Sequence, residues 1–333
     1  MINILRSIRM FFLRLFGLHN LITILERVNW LQTYHCYFTD ITKSAPVRGI
    51  ALLQQQAGVK LLEIIDLICK KYNLKYWLGS GNLLGFVRHN GNPVPWDDDI
   101  DIYMLRPDYE KAIILFQDLF KGTNFTFFFT GWYFKFLKYK NAAIGFDIFP
   151  IDQYFKNIES EKDIKHLFSK IRRIKAFSKK KYLKASGYTG NNYLMEIWSG
   201  KLNKNSKKLF ELRNTVKANW DRIVMEGNKP APNGNLIIGY ERVKWQGNQI
   251  SWNYNWVFPL KRMKYYNVET NIPNDPDLYL YSQFGDFWTF PKKFIIHSQS
   301  RIKLPLEALF SLQELSNLKA SEFLDSLKSI YNE

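Results

Sequence analysis

Apolar positions recur every three or four residues through residues 50–72, a period that predicts an amphipathic helix. The pattern then changes. Tyr76-Trp77-Leu78 is a short apolar run that reads as a buried strand, Gly79-Ser80-Gly81-Asn82 follows as a tight turn, and Leu83-Leu84-Gly85-Phe86-Val87-Arg88 is helix-like. Charged and apolar residues alternate through Asp99-Ile100-Asp101-Ile102, and the apolar character carries on to Met104. This is a strand with Asp99 and Asp101 on one face and Ile100 and Ile102 on the other. Another helix is predicted near residues 107–120, and aromatic strands at 125–130 and 132–139. A further strand is Ala143-Ile144-Gly145-Phe146-Asp147-Ile148-Phe149, an apolar run broken by one charge. Strands interleaved with helices predict a mixed sheet, an α/β or α+β core.

The outer parts of the chain read differently. Residues 159–185 are strongly basic, and periodic Ile164, Leu167, Phe168, Ile171 and Ile174 make them an amphipathic helix; the helical pattern continues to Gly227. After Pro230 aromatic residues dominate, most of them expected in the core. Residues 1–25 set Arg6, Arg9 and Arg14 on one helical arc against apolar residues elsewhere, the pattern of a helix lying in a membrane interface or packed on the domain. Its uncharged stretch after Arg14 is too short to span a bilayer, and no small-residue cleavage site follows. The chain therefore divides into an N-terminal amphipathic segment (1–45), a core (46–158), a basic helical region (159–228) and an aromatic-rich part that completes the site (229–333).

The chemistry is concentrated at Trp96-Asp97-Asp98-Asp99-Ile100-Asp101-Ile102, four carboxylates within five positions in an apolar setting. Asp97 shares the parity of Asp99 and Asp101 and leads in from a loop. Two carboxylates about 4 Å apart repel by roughly 4 kcal/mol at an effective dielectric near 20. A hard cation with oxygen ligands, Mg²⁺ or Mn²⁺, relieves that repulsion best. A solvated acidic turn is the ordinary alternative, but Ile100, Ile102 and Met104 argue for a strand entering a core. Upstream, the strand, Gly/Ser turn and helix start at Gly79, Ser80 and Gly81 offer free backbone N–H groups to an anion, and phosphate is the natural guest. Arg88 closes that helix. It either grips a second phosphate oxygen through its fork or caps the helix; His89 reads as capping.

The run from Gly79 to His89, followed by Pro95-Trp96-Asp97-Asp98-Asp99-Ile100-Asp101-Ile102, resembles the signature of the LicD family of phosphotransferases, in the nucleotidyltransferase superfamily and related to fukutin-type glycan phosphotransferases. The resemblance extends to Arg106-Pro107-Asp108-Tyr109, to Phe146-Asp147-Ile148-Phe149-Pro150-Ile151-Asp152, to Phe258-Pro259-Leu260 and to the stretch from Tyr279 to Asp286. It implies a nucleotidyltransferase-like mixed sheet flanked by helices. It also implies an active site of Gly79 and Ser80, of Asp99 and Asp101, and of Asp147 from a neighbouring strand, with Asp97 as the first residue of a longer Asp-x-Asp-x-Asp form. The residues themselves agree on Asp147, since a charge in a buried strand needs a partner, whether metal or core arginine. The implied reaction is metal-dependent transfer of a phospho-alcohol, phosphocholine from CDP-choline first, to a hydroxyl of a cell-surface glycan with release of CMP. Asp147 is the first choice for accepting the hydroxyl proton. Transfer of glycerol or ribitol phosphate, nucleotide transfer, and a non-enzymatic membrane scaffold are the alternatives, in falling order.

Composition narrows the partners. With 333 residues, 46% of them hydrophobic, the chain is globular. Five scattered histidines and two cysteines without metal spacing argue against zinc, Ser-His-Asp chemistry and a disulfide framework. The net charge of +17 suits nucleic acid, an anionic membrane surface or a phosphorylated glycan. No ordered basic-aromatic module points to nucleic acid, so the expectation is a peripheral enzyme at the cytoplasmic face of the cell membrane, using a CDP-alcohol donor and a glycan or lipid-linked glycan acceptor.

Overall fold

The computed structural model describes residues 40–43, 47–129, 133–154, 235–239, 251–289 and 304–329. Residues 1–25 and the basic run 159–185 lie outside them. Among the described residues no helix is long and apolar enough to cross a membrane.

Helix α1 (Gly49–Lys71), expected over residues 50–72, buries Ala57, Leu61, Ile64, Ile65 and Ile68. It ends where Asn73 takes a left-handed conformation (φ 51°) and the Leu74 N–H returns to the Cys69 carbonyl at 2.9 Å, the usual way of closing the last carbonyls of a helix. Strand β1 (Trp77–Leu78) then runs into helix α2 (Ser80–Arg88). The helix begins three residues earlier than the pattern suggested. Gly79 is its N-cap, so Ser80, Gly81 and Asn82 form its first turn and not a loop before it.

Strand β2 (Asp99–Leu105) leads into helix α3 (Arg106–Leu119), with Pro107 in its first turn. Strands β3 (Phe125–Phe129), β4 (Phe134–Tyr139) and β5 (Ala142–Tyr154) follow. The last is longer than its apolar core suggested, because it continues through Pro150, a residue that reads as a strand breaker. The Pro150 carbonyl accepts from the Gly239 N–H at 2.9 Å instead. The sheet runs β1-β2-β5-β4-β3, with β6 (Asn235–Ile238) on the far half of β5 and β7 (Ser251–Asn253) beside β6. Only β2 and β5 pair in parallel among these strands; the rest are antiparallel. This is the expected mixed sheet with helices, and segments after residue 228 extend it.

One face of the sheet is apolar. Ile100, Ile102, Phe134, Phe136, Phe146 and Ile148 are buried there beneath α1 and α3. Gly58 of α1 comes so close that a Cβ would stand 3.1 Å from the Ile100 side chain. The other face carries Asp99, Asp101 and Asp147, then an aromatic layer in which Tyr103 meets Phe149 edge-on at 5.4 Å. Helix α4 (Tyr254–Val257), the hairpin of β8 (Lys261–Tyr265) and β9 (Val268–Ile272), and helix α5 (Pro276–Phe284) follow. Trp252 and Tyr279, both fully buried, stack at 4.5 Å as expected of core aromatics, whereas Tyr281 and Trp288 are exposed. Helices α6 (Leu306–Asn317) and α7 (Ala320–Ser329) pack against α1.

Candidate active site

The register of two strands builds the site. In the parallel ladder Asp101 lies opposite Asp147 and Asp99 opposite Gly145. Side chains at paired positions share a face, so three carboxylates from two strands converge. Asp99, Asp101 and Asp147 each offer an oxygen within 4.8 Å of the others. Gly145 makes room for this, since a Cβ there would stand 2.6 Å from the Asp99 Cβ.

Asp97 joins the cluster from the loop. Gln55 of α1 donates to the Val94 and Asp97 carbonyls at 3.0 and 2.8 Å and fixes that loop. The loop crosses α2 where Gly85 has no side chain; a Cβ there would lie 2.7 Å from the Asn92 carbonyl. The Asp97 carboxylate rests against Gly81, and any Cβ at Gly81 would collide with it. Its Oδ2 is buried with no hydrogen-bond partner among the described residues.

The turn before α2 is tied directly to β2. The Gly79 N–H donates to the Asp101 carbonyl at 3.0 Å. Ser80 adopts a positive φ of 44°, a conformation that costs energy for a non-glycine residue and clusters at functional sites. Its hydroxyl bonds Tyr103 Oη at 2.7 Å, and Gln283 Nε2 of α5 reaches it at 3.4 Å. Asn82, 1% exposed, clamps the strand between its two aspartates: Nδ2 donates to the Asp99 carbonyl at 2.8 Å and Oδ1 accepts from the Asp101 N–H. Ser80 and Gly81 therefore stand beside the carboxylates with the N–H groups of a helix start, whereas the Gly79 N–H is already taken by the Asp101 carbonyl and is not the free donor the sequence suggested.

Arg88 is not brought to this cluster. It lies at the other end of α2, about 12 Å from Ser80 along the helix axis. It is buried there, with Nη1 on the Phe287 carbonyl at 2.8 Å and its guanidinium over the Trp96 ring. His89 is the C-cap, its N–H on the Gly85 carbonyl at 2.8 Å.

Electrostatics show a site with surplus negative charge. Burial, then the charges of Asp99 and Asp101, raise the Asp97 carboxyl well above the usual carboxylate range. Burial, then Asp99 and Asp147, do the same to Asp101, against the lowering effects of the Ser80 hydroxyl and Lys135. Asp147 has a lysine beside it. Lys135 lies opposite it in the β4–β5 register and places Nζ 2.8 Å from Oδ1 and 3.1 Å from Oδ2. Burial would lower the Lys135 ammonium, but Asp147 raises it above its ordinary value. Oxygen donors alone, converging from two strands and incompletely neutralised, fit a hard divalent cation held by Asp99, Asp101 and Asp147 with Asp97 adjoining.

Residues 73–189 match a known domain family, described as LicD/FKTN/FKRP, nucleotidyltransferase domain. That stretch, about a third of the chain, is similar to the LicD family's domain. Every residue of the carboxylate cluster and of the Gly79–Gly81 turn falls within the matched stretch. Among curated proteins, the lipopolysaccharide cholinephosphotransferase LicD of Haemophilus influenzae is 39% identical over 72 residues, covering 21% of this chain and 27% of that protein. Uncharacterized proteins of Rickettsia prowazekii and Rickettsia typhi are 43% identical over 58 residues and 55% identical over 52. These cover 16% and 15% of this chain, and 21% and 16% of those proteins. The matches thus span about a quarter or less of the relatives' length.

Asn82, Gln55, Lys135 and Gln283 were not singled out by sequence. A buried-looking Asn in the first turn of a helix and a lone lysine amid aromatic strand residues were the available signals.

Proposed function

We propose that the chain is a metal-dependent phosphotransferase that moves a phospho-alcohol from a CDP-alcohol to a hydroxyl of a cell-surface glycan. CDP-choline is the first donor and a lipopolysaccharide-type glycan the first acceptor, by analogy with the Haemophilus relative. The observation that carries the reading is the convergence of Asp99, Asp101 and Asp147 beside a helix start, inside a LicD-family match.

Asp99, Asp101 and Asp147, with Asp97 adjoining, would hold Mg²⁺ or Mn²⁺; when bound, it supplies charge neutralisation across the donor diphosphate and the departing CMP. The first-turn N–H groups of α2 and the Ser80 hydroxyl hold a phosphate oxygen. Asn82 keeps the Asp99 and Asp101 backbone from shifting, and Tyr103 orients Ser80. In the transfer, the acceptor oxygen bonds to the phosphorus bearing the alcohol. The bond from that phosphorus to the bridging oxygen breaks, and the electron pair leaves with CMP. The acceptor's proton passes to a cluster carboxylate, Asp147 first, because β5 stands one strand further than β2 from the phosphate turn. We place the enzyme at the inner membrane face, with residues 1–25 and 159–185 as its contacts.

The test follows the leaving group. With Mg²⁺ and a glycan acceptor, CDP-choline should yield CMP and phosphocholine-modified glycan, and EDTA should stop both. Turnover of CDP-glycerol or CDP-ribitol in place of CDP-choline would reassign the alcohol. Pyrophosphate release from CTP would replace the whole reading with nucleotide transfer.

A further inference from the structure

Lys135 has no place in the reaction as derived so far, yet it touches the cluster. Its Nζ is 2.8 Å from one Asp147 oxygen and 3.1 Å from the other, and its side chain is 19% exposed. The register aligns Asp101, Asp147 and Lys135 in one row across β2, β5 and β4. Phosphate-holding N–H groups stand at one end of this row and an ammonium at the other. Two strand spacings separate β2 from β4, about 10 Å, and the lysine stem already carries its charge across half of that.

A purely structural partner for a buried aspartate looks different in this protein. Arg106 grips Asp152 through two nitrogens, with both side chains fully buried. Lys135 is instead a single point charge on a flexible stem at a partly open position, facing more negative charge than it balances. That is the arrangement of a cation able to turn from a carboxylate to an incoming phosphate.

We propose that Lys135 binds a phosphate oxygen of the donor, on the side of the transferred phosphoryl group, and leaves the Asp147 carboxylate to the metal when donor and metal are bound. The inference rests on the proposed phosphotransferase reading. In the step itself Lys135 stays protonated and exchanges no bond; it offsets the charge on the phosphoryl oxygens while the bridging bond to CMP breaks.

The experiment measures Mn²⁺ binding, and pyrophosphate binding at saturating Mn²⁺, by calorimetry on the full chain and on Lys135→Gln and Lys135→Arg. The two ligands should respond with opposite signs. Removing a cation beside the carboxylates should leave Mn²⁺ affinity equal or higher in Lys135→Gln, while pyrophosphate affinity falls by about tenfold or more. Lys135→Arg should restore most of it. If Lys135 only props Asp147, Mn²⁺ and pyrophosphate affinities fall together in Lys135→Gln, and the proposal is overturned. A pyrophosphate change below threefold, or no Mn²⁺-dependent pyrophosphate binding by wild type, overturns it as well. Lys135→Met keeps the apolar stem and replaces the Gln variant if that variant fails to fold. A wild-type protein that binds both ions yet releases no CMP from any CDP-alcohol would remove the reaction and leave the Lys135 assignment standing.

Discussion

Strand β5 carries two buried aspartates with opposite fates. Asp152 is fully buried and held by Arg106 through bonds of 2.8 and 2.6 Å, and the same guanidinium meets the partly exposed Glu110 at 3.5 Å. Asp147, five residues earlier, is 6% exposed and has a lysine, but it also faces Asp99 and Asp101, with Asp97 behind them. The pairs share a strand and a degree of burial and differ in charge balance. A guanidinium shared between one buried and one partly exposed carboxylate is explained by folding alone. An unbalanced cluster is a cost to folding that is justified only by something that binds there.

The comparison is tested most severely by neutralising each side. Asp99→Asn or Asp101→Asn should lower CMP release by about a thousandfold or more, some 4 kcal/mol of barrier, because a charged oxygen donor is lost. Stability of the metal-free protein should hold or rise, since repulsion is relieved. Activity within tenfold of wild type would remove these residues from the reaction. Arg106→Met should do the reverse: taking the guanidinium away from the buried Asp152 should cost about 3–5 kcal/mol of stability, read by denaturant unfolding. Folded Arg106→Met protein should keep its Mn²⁺ affinity, and a matching loss of Mn²⁺ binding would show that the two aspartates are not separate in role.

A milder probe moves one carboxylate without removing it. Gly145→Ala sets a methyl against the Asp99 Cβ, where the present spacing would be 2.6 Å. The β2–β5 contact must open. We expect about 1–3 kcal/mol of destabilisation, the usual cost of overpacking, with Mn²⁺ binding about tenfold weaker. Unchanged Mn²⁺ binding would mean that Asp99 tolerates displacement and that the parallel register is not what sets the site.

Legibility in the sequence followed the range of the interaction. Alternation is local, so the shared face of Asp99 and Asp101 was readable from four consecutive residues. The meeting of Asp101 with Asp147 depends on a parallel pairing between strands 46 residues apart, which periodicity does not encode; there the family resemblance supplied the residue and its buried setting agreed. Lys135 needed a second register, β4 on β5, with a shift between Phe136 and Lys138. Its neighbours Phe134 and Phe136 signalled only a core strand. Asn82 stood in view within the turn, but its role as a clamp exists only once β1 has delivered α2 beside β2. Arg88, for which the sequence left both a phosphate grip and helix capping open, shows the converse. A basic residue closing a helix after a phosphate-like turn looks available, and only the packing of Phe287 and Trp96 around it shows that it is committed elsewhere.

The smallest effect concerns acid, and Asp66 should answer it with the opposite sign to the cluster. Arg262 bonds both Asp66 oxygens at 2.6 and 3.0 Å, and Tyr76 donates to it at 2.6 Å. Burial alone would raise its carboxyl, but these donors and Lys70 outweigh it and hold it below the ordinary value. A depressed folded-state pKa means that the unfolded chain binds more protons below about pH 4, so this contribution is present above that range and lost as pH falls through it. Asp97 and Asp101 are raised instead. Above the usual carboxylate range the folded state therefore binds the extra protons, and metal-free protein should lose stability as pH rises through their titration. Unfolding of EDTA-treated protein across pH should show a maximum between the two limbs. Asp101→Asn should flatten the high-pH limb only, and Arg262→Met the low-pH limb only. If Asp101→Asn left the high-pH limb unchanged, the cluster would not carry the surplus charge on which its contrast with Asp152 depends.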